Sequence, residues 1–354
     1  MRAVLVGCGA MSRAWLEAAR RIEGLQIAGV VDIDIDRARA RAAEFELADV
    51  VIGQDAATVL SQVRPDIVFD VVVPAARRDL ALLAFSHGAH LLTEKPMADS
   101  LSSAGDIVAA ARAAKRTHAV IQNRRYHPVA RRIRRFVDSG AIGAVTSIHC
   151  DFFIAPHFGG FREEMEHVLL LDMAIHTFDE ARLFTAADPV AVYCHEWDPP
   201  GSWYRQGASA AAIFELTGGI VFDYRGSWCA EGLKTSWESV WRIVGTKGSL
   251  TWDGFDDVRA EVPTDRVDPS APILRVMEAL AIPAPSDDDR IGGHLGVIRD
   301  FVDAVRRKVE PETRGEDNFH SLAMVFGAIE SAETRRRVEI VPSFDAARRS
   351  GGLQ

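Results

Sequence analysis

Lys95, in the run Thr93-Glu94-Lys95-Pro96, and the pair Asp172 and His176, in Asp172-Met173-Ala174-Ile175-His176, have side-chain types and spacing suited to chemistry. A lysine, a carboxylate and an imidazole drawn from separate segments can bind an alcohol and orient it. They can also remove its proton while a nicotinamide takes the hydride. Positions i and i+4 lie on one face of a helix, so Asp172 and His176 can point into one cleft. An imidazole titrates near neutrality and suits a general base. Neither motif is specific alone; their order in the chain, and what lies between them, carries the inference.

The elements that would position these residues begin at the N-terminus. Ala3-Val4-Leu5-Val6 ends at Gly7-Cys8-Gly9-Ala10-Met11-Ser12, and a helical pattern follows from Arg13 to Arg21. In a strand, turn and helix of this kind the first glycine permits the tight turn. The second lets backbone approach a pyrophosphate resting on the helix N-terminus. Gly7, Gly9, Ala10 and Met11 are therefore expected to hold a dinucleotide, although Ser12 replaces the third glycine of the usual pattern. The next strand, Gln26 to Val31, ends at Asp32, about 20 residues past the turn, where a ribose-binding acid belongs. Its charge would repel a 2′-phosphate, which favours NAD over NADP. Asp34 and Asp36 read as helix caps.

The alternation continues with an apolar strand from Ile67 to Val73 ending at Pro74, an Ala/Leu-rich helix, and a strand from His90 to Thr93 running into Glu94 and Lys95. A helix from Ser103 to Ala114 and a strand from His118 to Ile121 follow. Strands separated by helices predict a doubly wound parallel sheet with ligands at the carboxyl ends of its strands. Pro74, Glu94, Lys95 and Asn123 fall at such ends and join the expected cofactor contacts. After Asn123 a basic amphipathic helix opens at Arg124-Arg125-Tyr126-His127-Pro128, and alternating strands dominate from Ala144 to Phe153 and from Ala191 to Trp252. That pattern predicts a largely antiparallel sheet with one covered face, its tryptophans mostly in the core or an interface. Val262 to Asp289 reads as a Pro/Asp-rich connection, and helices are expected near Leu295 to Arg306 and Asn318 to Arg336. The fold class is thus α/β: a Rossmann domain over residues 1–123, then an α+β domain over 124–354.

Length and composition agree with two domains: 354 residues, 48% apolar. No stretch reaches the roughly 20 apolar residues of a bilayer-spanning helix, and the N-terminus lacks the pattern of a cleavable signal. Cys8, Cys150, Cys194 and Cys229 are scattered with no C-x-x-C pair, so they read as small buried residues in a reducing compartment. A soluble cytoplasmic protein is expected. A net charge of -9 argues against nucleic-acid binding, and the arginine runs at 131–135 and 335–337 read as solvated helix faces.

The chain resembles the Gfo/Idh/MocA family, named for glucose-fructose oxidoreductase, inositol dehydrogenase and a rhizopine-catabolism protein. The resemblance spans nearly its whole length. It is carried by GCGAMS from Gly7, TEKPMA from Thr93, QNRRYHP from Gln122, LDMAIHTFD from Leu171 and GEDNFHSLAMVFGAIESAE from Gly315. It implies that Lys95 lies between nicotinamide and substrate and that Asp172 and His176 complete the catalytic set. On this reading His176 removes the hydroxyl proton, Lys95 stabilises the same oxygen, and Asp172 holds Lys95 or the substrate in register. Arg124, Tyr126, His157, Arg162 and His167 are candidate substrate contacts.

The chain departs from the family pattern in four places. His167 and Val168 stand where a glycine pair is common, Ala174 where glycine is usual, and Ala75, after Pro74, where asparagine is usual. The cleft should therefore be narrower than in the best-known members, and the nicotinamide contacts near Pro74 different in detail. His157, His167, Asp172 and His176 have the residue types of zinc ligands but no anchoring H-x-x-x-H or H-E-x-x-H pair, so no metal is expected.

The resulting expectation is an NAD-dependent dehydrogenase or reductase acting on a small sugar, sugar derivative or cyclitol. A redox-neutral NAD-dependent glycosidase and a non-catalytic nucleotide-binding sensor are the alternatives. The resemblance also implies a homodimer or homotetramer paired through the open face of the second sheet.

Overall fold

Short apolar runs bounded by glycine or a cap residue form the parallel strands of the N-terminal sheet, because each is buried on both faces and too short for a helix. The computed structural model describes residues 1–287, 289 and 291–340. Its elements begin β1 (Arg2–Val6), α1 (Ser12–Ala19), β2 (Gln26–Val31), α2 (Ile35–Glu44), β3 (Val51–Gly53) and α3 (Ala56–Val63). They continue β4 (Ile67–Asp70), α4 (Pro74–Ser86), β5 (His90–Thr93), α5 (Leu101–Ala114) and β6 (His118–Val120). The six strands are all parallel, in the order β3-β2-β1-β4-β5-β6, the doubly wound arrangement. The order reverses beside β1, so the carboxyl ends of β1, β2 and β4 frame the crevice where such sheets take ligands.

The remaining elements are α6 (Pro128–Asp138), β7 (Val145–Phe153), a π-helical turn (Leu169–Ala174) continuing into α7 (Ile175–Thr185), β8 (Pro189–Trp197) and β9 (Ser209–Leu216). After these come β10 (Ile220–Ser227), β11 (Val240–Gly245), β12 (Ser249–Trp252), β13 (Val258–Asp268), β14 (Ala271–Leu280), α8 (Gly293–Arg307), α9 (Gly315–Thr334) and β15 (Val338–Glu339). The second sheet has nine strands in the order β14-β13-β12-β11-β7-β10-β9-β8-β15. All its pairs are antiparallel except β7 with β10. One face is covered: Phe178 of α7 packs against Phe214, Phe222 and Tyr224, and Phe184 meets Trp241 edge-on. Burying each such ring contributes about 2 kcal/mol, which fixes α7 on the sheet.

Two compact units result: Met1–Tyr126 with Ile291–Leu322, and His127–Arg290 with residues 323–340. The division differs from the one expected between 1–123 and 124–354, because α8 packs in the N-terminal unit. Its Val297, Ile298, Phe301 and Val302 fill a core with Trp15, Leu16, Ala19 and Ile22 of the first helix region. A second difference concerns Val262 to Asp289, expected to be a connection. Much of it is the β13–β14 hairpin, whose register shifts near Pro263, so that proline and the strand pairing coexist. Among the described residues no helix is long and apolar enough to cross a membrane. All four cysteines are free thiols, three of them buried.

Candidate active site

The glycine turn after β1 is a backbone device held by side chains from elsewhere in the first unit. Gly7 has φ +98°, and a Cβ there would meet the Val71 carbonyl oxygen at 2.5 Å. Asp32 is 8% exposed; one carboxylate oxygen accepts from Cys8 N at 2.7 Å and the other from Asp34 N at 2.9 Å. Each oxygen keeps a second lone pair. Arg41, buried beneath the turn, donates to the Cys8 and Gly9 carbonyls at 3.2 Å and to Glu44 at 2.5 Å. Ser12 Oγ donates to Gly9 O at 2.6 Å and so does locally what a third glycine would leave undone. The Cys8 thiol is pushed up to about 12 by burial and by the Asp32 charge, which leaves it inert.

Whether these residues suit a dinucleotide is tested by Gly9: a Cβ built there meets nothing within 4 Å. Its glycine is not demanded by packing, and the space beside it stays open for a phosphate to approach backbone at α1. Ile33 is 90% exposed, Val73 68% and Met11 39%, all just past the carboxyl ends of β2, β4 and β1. Each is an apolar side chain left open to solvent just beyond a parallel strand. The open space at Gly9 and the Asp32 carboxylate at the end of β2 suit the group expected there.

Pro74 is the first residue of α4 and not the end of a strand, since β4 stops at Asp70. Glu94 departs further from expectation. It is 4% exposed and turned inward, accepting from Trp15 Nε1 at 3.0 Å and from Lys95 N at 2.9 Å, with His294 Nε2 at 3.8 Å. Burial pushes its carboxyl up, but the facing His294, the Lys95 charge and the Trp15 hydrogen bond together hold it below the usual carboxylate range. Glu94 braces the lysine turn and leaves Lys95 partly exposed beside it. Arg77, not singled out from sequence, is the second brace. From α4 it donates to the Pro96 carbonyl and, at 2.8 Å, to Val72 O. Below it, burial raises Asp70 to about 7 despite the Arg77 charge.

Asn123 opens a 3-10 turn that ends at Tyr126. Tyr126 is 5% exposed, its ring lies where a Cβ on Gly296 would fall, and its hydroxyl donates to Asp300 at 2.8 Å. It secures α8 and does not present itself to substrate. Arg124 is 8% exposed.

In the second unit, every residue from Val168 to Arg182 is buried except Leu171, Asp172 and His176. The two polar residues with the spacing of interest are thus the polar breaks in an otherwise buried helical stretch. Asp172 lies in the π turn and His176 in the first turn of α7, so the stretch is not a uniform α-helix; such widened turns recur at functional sites. Arg162 Nε donates to Asp172 at 2.9 Å, and its guanidinium lies 4.8 Å from the Phe158 ring centroid and 5.0 Å from that of Phe161. Phe158 continues into an aromatic wall with Trp228 and Trp237, at centroid distances of 5.4 and 6.4 Å. Phe161 and Trp237 are 68% and 46% exposed, so this part of the tryptophan set is surface available for contact and not core.

His157 and His167 each have carboxylate partners of their own. His157 stacks on Trp203 at 3.8 Å and pairs with Glu231 at 3.3 Å. His167 is tied to Glu196 at 2.6 Å and faces Glu333 at 3.4 Å. The Glu196 hydrogen bond raises its pKa against the effect of burial. Among the described residues no group of three or more His, Cys, Asp or Glu is arranged to hold a metal ion.

Comparison with known proteins bears on the family and the fold. Residues 1–122 match the model of the oxidoreductase family with an NAD-binding Rossmann fold, and residues 130–251 match the Gfo/Idh/MocA C-terminal domain. D-apiose dehydrogenase of Paraburkholderia graminis is 27% identical over 344 residues, 96% of this chain and 89% of that protein. Inositol 2-dehydrogenase 4 of Saccharopolyspora erythraea is 31% identical over 194 residues, 54% of this chain and 56% of that protein. An oxidoreductase from Agrobacterium radiobacter, crystallised with NAD+, L-tartaric acid and magnesium, shares the fold with a TM-score of 0.83. The match has 23% identity and covers 96% of this chain and 98% of that one. With both of its domains matched by models of one family, the chain belongs to the Gfo/Idh/MocA oxidoreductases and carries their NAD-binding Rossmann domain.

Proposed function

We propose that this oxidoreductase interconverts a hydroxyl and a carbonyl on a sugar, sugar derivative or cyclitol. His176 takes the hydroxyl proton in the oxidative direction and returns it in the reductive one. Lys95 donates a hydrogen bond to the same oxygen and stabilises the negative charge that develops there. Asp172 and Arg162, paired with each other, orient substrate hydroxyls, and the exposed Phe161 and Trp237 rings give the apolar C–H face of a sugar a surface to rest on. The turn at Gly7, Gly9, Ala10 and Met11 would hold the NAD pyrophosphate and Asp32 its ribose. NAD, when bound, supplies the hydride acceptor.

The observation that carries the reading is that Asp172 and His176 are only half-buried within an otherwise buried helical stretch. Packing alone gives no reason for two polar side chains at that spacing. The relatives named as D-apiose and inositol dehydrogenases support a polyhydroxylated substrate.

The test is nicotinamide absorbance on mixing the protein and NAD with a panel of sugars, sugar acids and inositols, and the protein and NADH with the matching ketoses and inosose. Turnover with one chemical group supports the proposal. Failure in both directions, with NAD bound, contradicts it. For assembly, the open face of the second sheet is proposed to pair two copies, since Tyr193, Ile213 and Val221 are 49%, 52% and 40% exposed there.

A further inference from the structure

His167 immediately precedes the buried stretch that carries Asp172 and His176. Its φ is +51°, in the left-handed region that glycine enters freely and that strains other residues. Such a conformation persists where its surroundings over-determine it.

The surroundings that do so all belong to the second unit. The His167 side chain is buried, with Nδ1 at 2.6 Å from Glu196 Oε2 on β8 and Nε2 at 3.4 Å from Glu333 on α9. The Glu196 side chain is only 8% exposed, so salt and water screen the pair little. Backbone adds a second tie: Val168 N and Leu169 N donate to the Gln206 and Gly207 carbonyls at 3.2 and 3.1 Å. These are N–H groups of the kind a helix start leaves without an acceptor of its own. Gly207 has φ +74°, and a Cβ there would run into Glu196 Oε1 and come within 2.7 Å of His167 Cα. Asp198 holds the same segment, accepting from Gly207 N at 3.1 Å and Ala208 N at 3.0 Å.

The path from this anchor to the polar pair is short. Leu171 N donates to the His167 carbonyl at 3.0 Å, and Leu171 is the residue before Asp172. Val168, Leu169 and Leu170 between them are fully buried, and a close-packed interior transmits a displacement instead of absorbing it. The far end of the stretch is fixed on the sheet by Phe178 against Phe214 and by Phe184 against Trp241. The placement of Asp172 and His176 is therefore left to the near end.

We propose that His167 is a positioning residue: its imidazole, paired with Glu196, sets where the helical stretch begins and so where Asp172 and His176 meet substrate. The inference rests on the roles proposed above for those two residues. His167 acts through them and does not itself touch substrate.

The experiment compares His167→Gly, His167→Asn and Glu196→Gln with the unmodified full chain. Glycine keeps the left-handed backbone and removes the pair. Asparagine also tolerates that backbone and still carries an N–H that can donate toward Glu196. The first readout is kcat and KM on the best substrate of the panel, with NAD affinity and Tm measured on the same samples. His167→Gly is expected to lower kcat about tenfold or more with NAD affinity and Tm kept, and His167→Asn to restore most of the loss. The second readout needs no turnover: proton–nitrogen correlation NMR spectra of the histidine rings, with the His176 signals assigned by their loss in His176→Ala. Those signals should shift in His167→Gly and Glu196→Gln and stay near their original positions in His167→Asn. Unmoved His176 signals in His167→Gly overturn the proposal, and so does an unchanged kcat; a fall in Tm alone would make the pair a stabilising contact only. Where the unmodified protein turns over nothing in either direction, the activity reading fails, while the His176 signals still decide whether His167 places that ring.

Discussion

Asp32 has two tasks, and a substitution separates them. Its carboxylate accepts from Cys8 N and Asp34 N, which ties the glycine turn to the end of β2. Its remaining lone pairs are those proposed for ribose hydroxyls. Asp32→Ala should raise the NAD Kd by about tenfold, corresponding to the loss of about 1.4 kcal/mol, and narrow the preference over NADP. Fluorescence titration with both nucleotides reads this, and NADP binding better than NAD in the unmodified protein would refute the role. A second prediction concerns His118, whose pKa burial pushes down to about 4 from an ordinary 6.5. The unfolded chain binds that proton more readily, so this contribution is fully present above pH 6.5 and is lost as pH falls toward 4. Asp70, raised to about 7 by burial, acts in the opposite sense over the same interval. The informative quantity is therefore the difference between wild type and His118→Asn. Relative to the variant, wild type should lose stability in urea as pH is lowered from 7 to 4.5; a constant difference would contradict the assignment.

At the scale of elements, the two glycines of the first turn make opposite predictions. Gly7→Ala places a Cβ 2.5 Å from the Val71 carbonyl at a positive φ and should lower the unfolding free energy by about 2–4 kcal/mol. Gly9→Ala meets open space, so the urea midpoint should barely move while NAD affinity falls by tenfold or more. A Gly9→Ala protein that binds NAD normally would show that the turn does not receive the pyrophosphate. The turn was legible in the sequence because its cause is local: a short apolar run, glycines at fixed offsets and an acid at the next strand end. The inward turn of Glu94 was not, because it depends on Trp15 and His294, far away in the chain. The same holds for Tyr126, which the motif QNRRYHP offered as a substrate contact and which the packing of α8 claims for the core. Arg77 and Arg41 were missed for a related reason: each clamps a functional turn from a helix whose own pattern gives no hint of it. The π turn under Asp172 was hidden because Leu169 to Ala174 reads as ordinary helix.

For the whole molecule, the nine-stranded sheet leaves one face with Tyr193 opposite Ile213 across β8 and β9, both about half exposed. Ile213→Arg should halve the mass measured by light scattering if that face pairs two copies, whereas an unchanged mass would assign the contact elsewhere. The alternation from Ala191 to Trp252 had already marked one face as covered and the other as open. Residues 291–322 could not be placed from sequence, because an amphipathic helix states that it needs a core and not which one. The account as a whole rests on Lys95 and His176 performing chemistry and not merely sitting near bound nucleotide. The most direct measurement is kcat for Lys95→Ala and His176→Ala on the best substrate of the panel, with NAD affinity measured on the same samples. The account predicts a fall in kcat of at least about a hundredfold in each variant, the scale of a lost acid–base or oxyanion contact, with NAD affinity retained. Turnover within a few fold of the unmodified protein in both variants would contradict it.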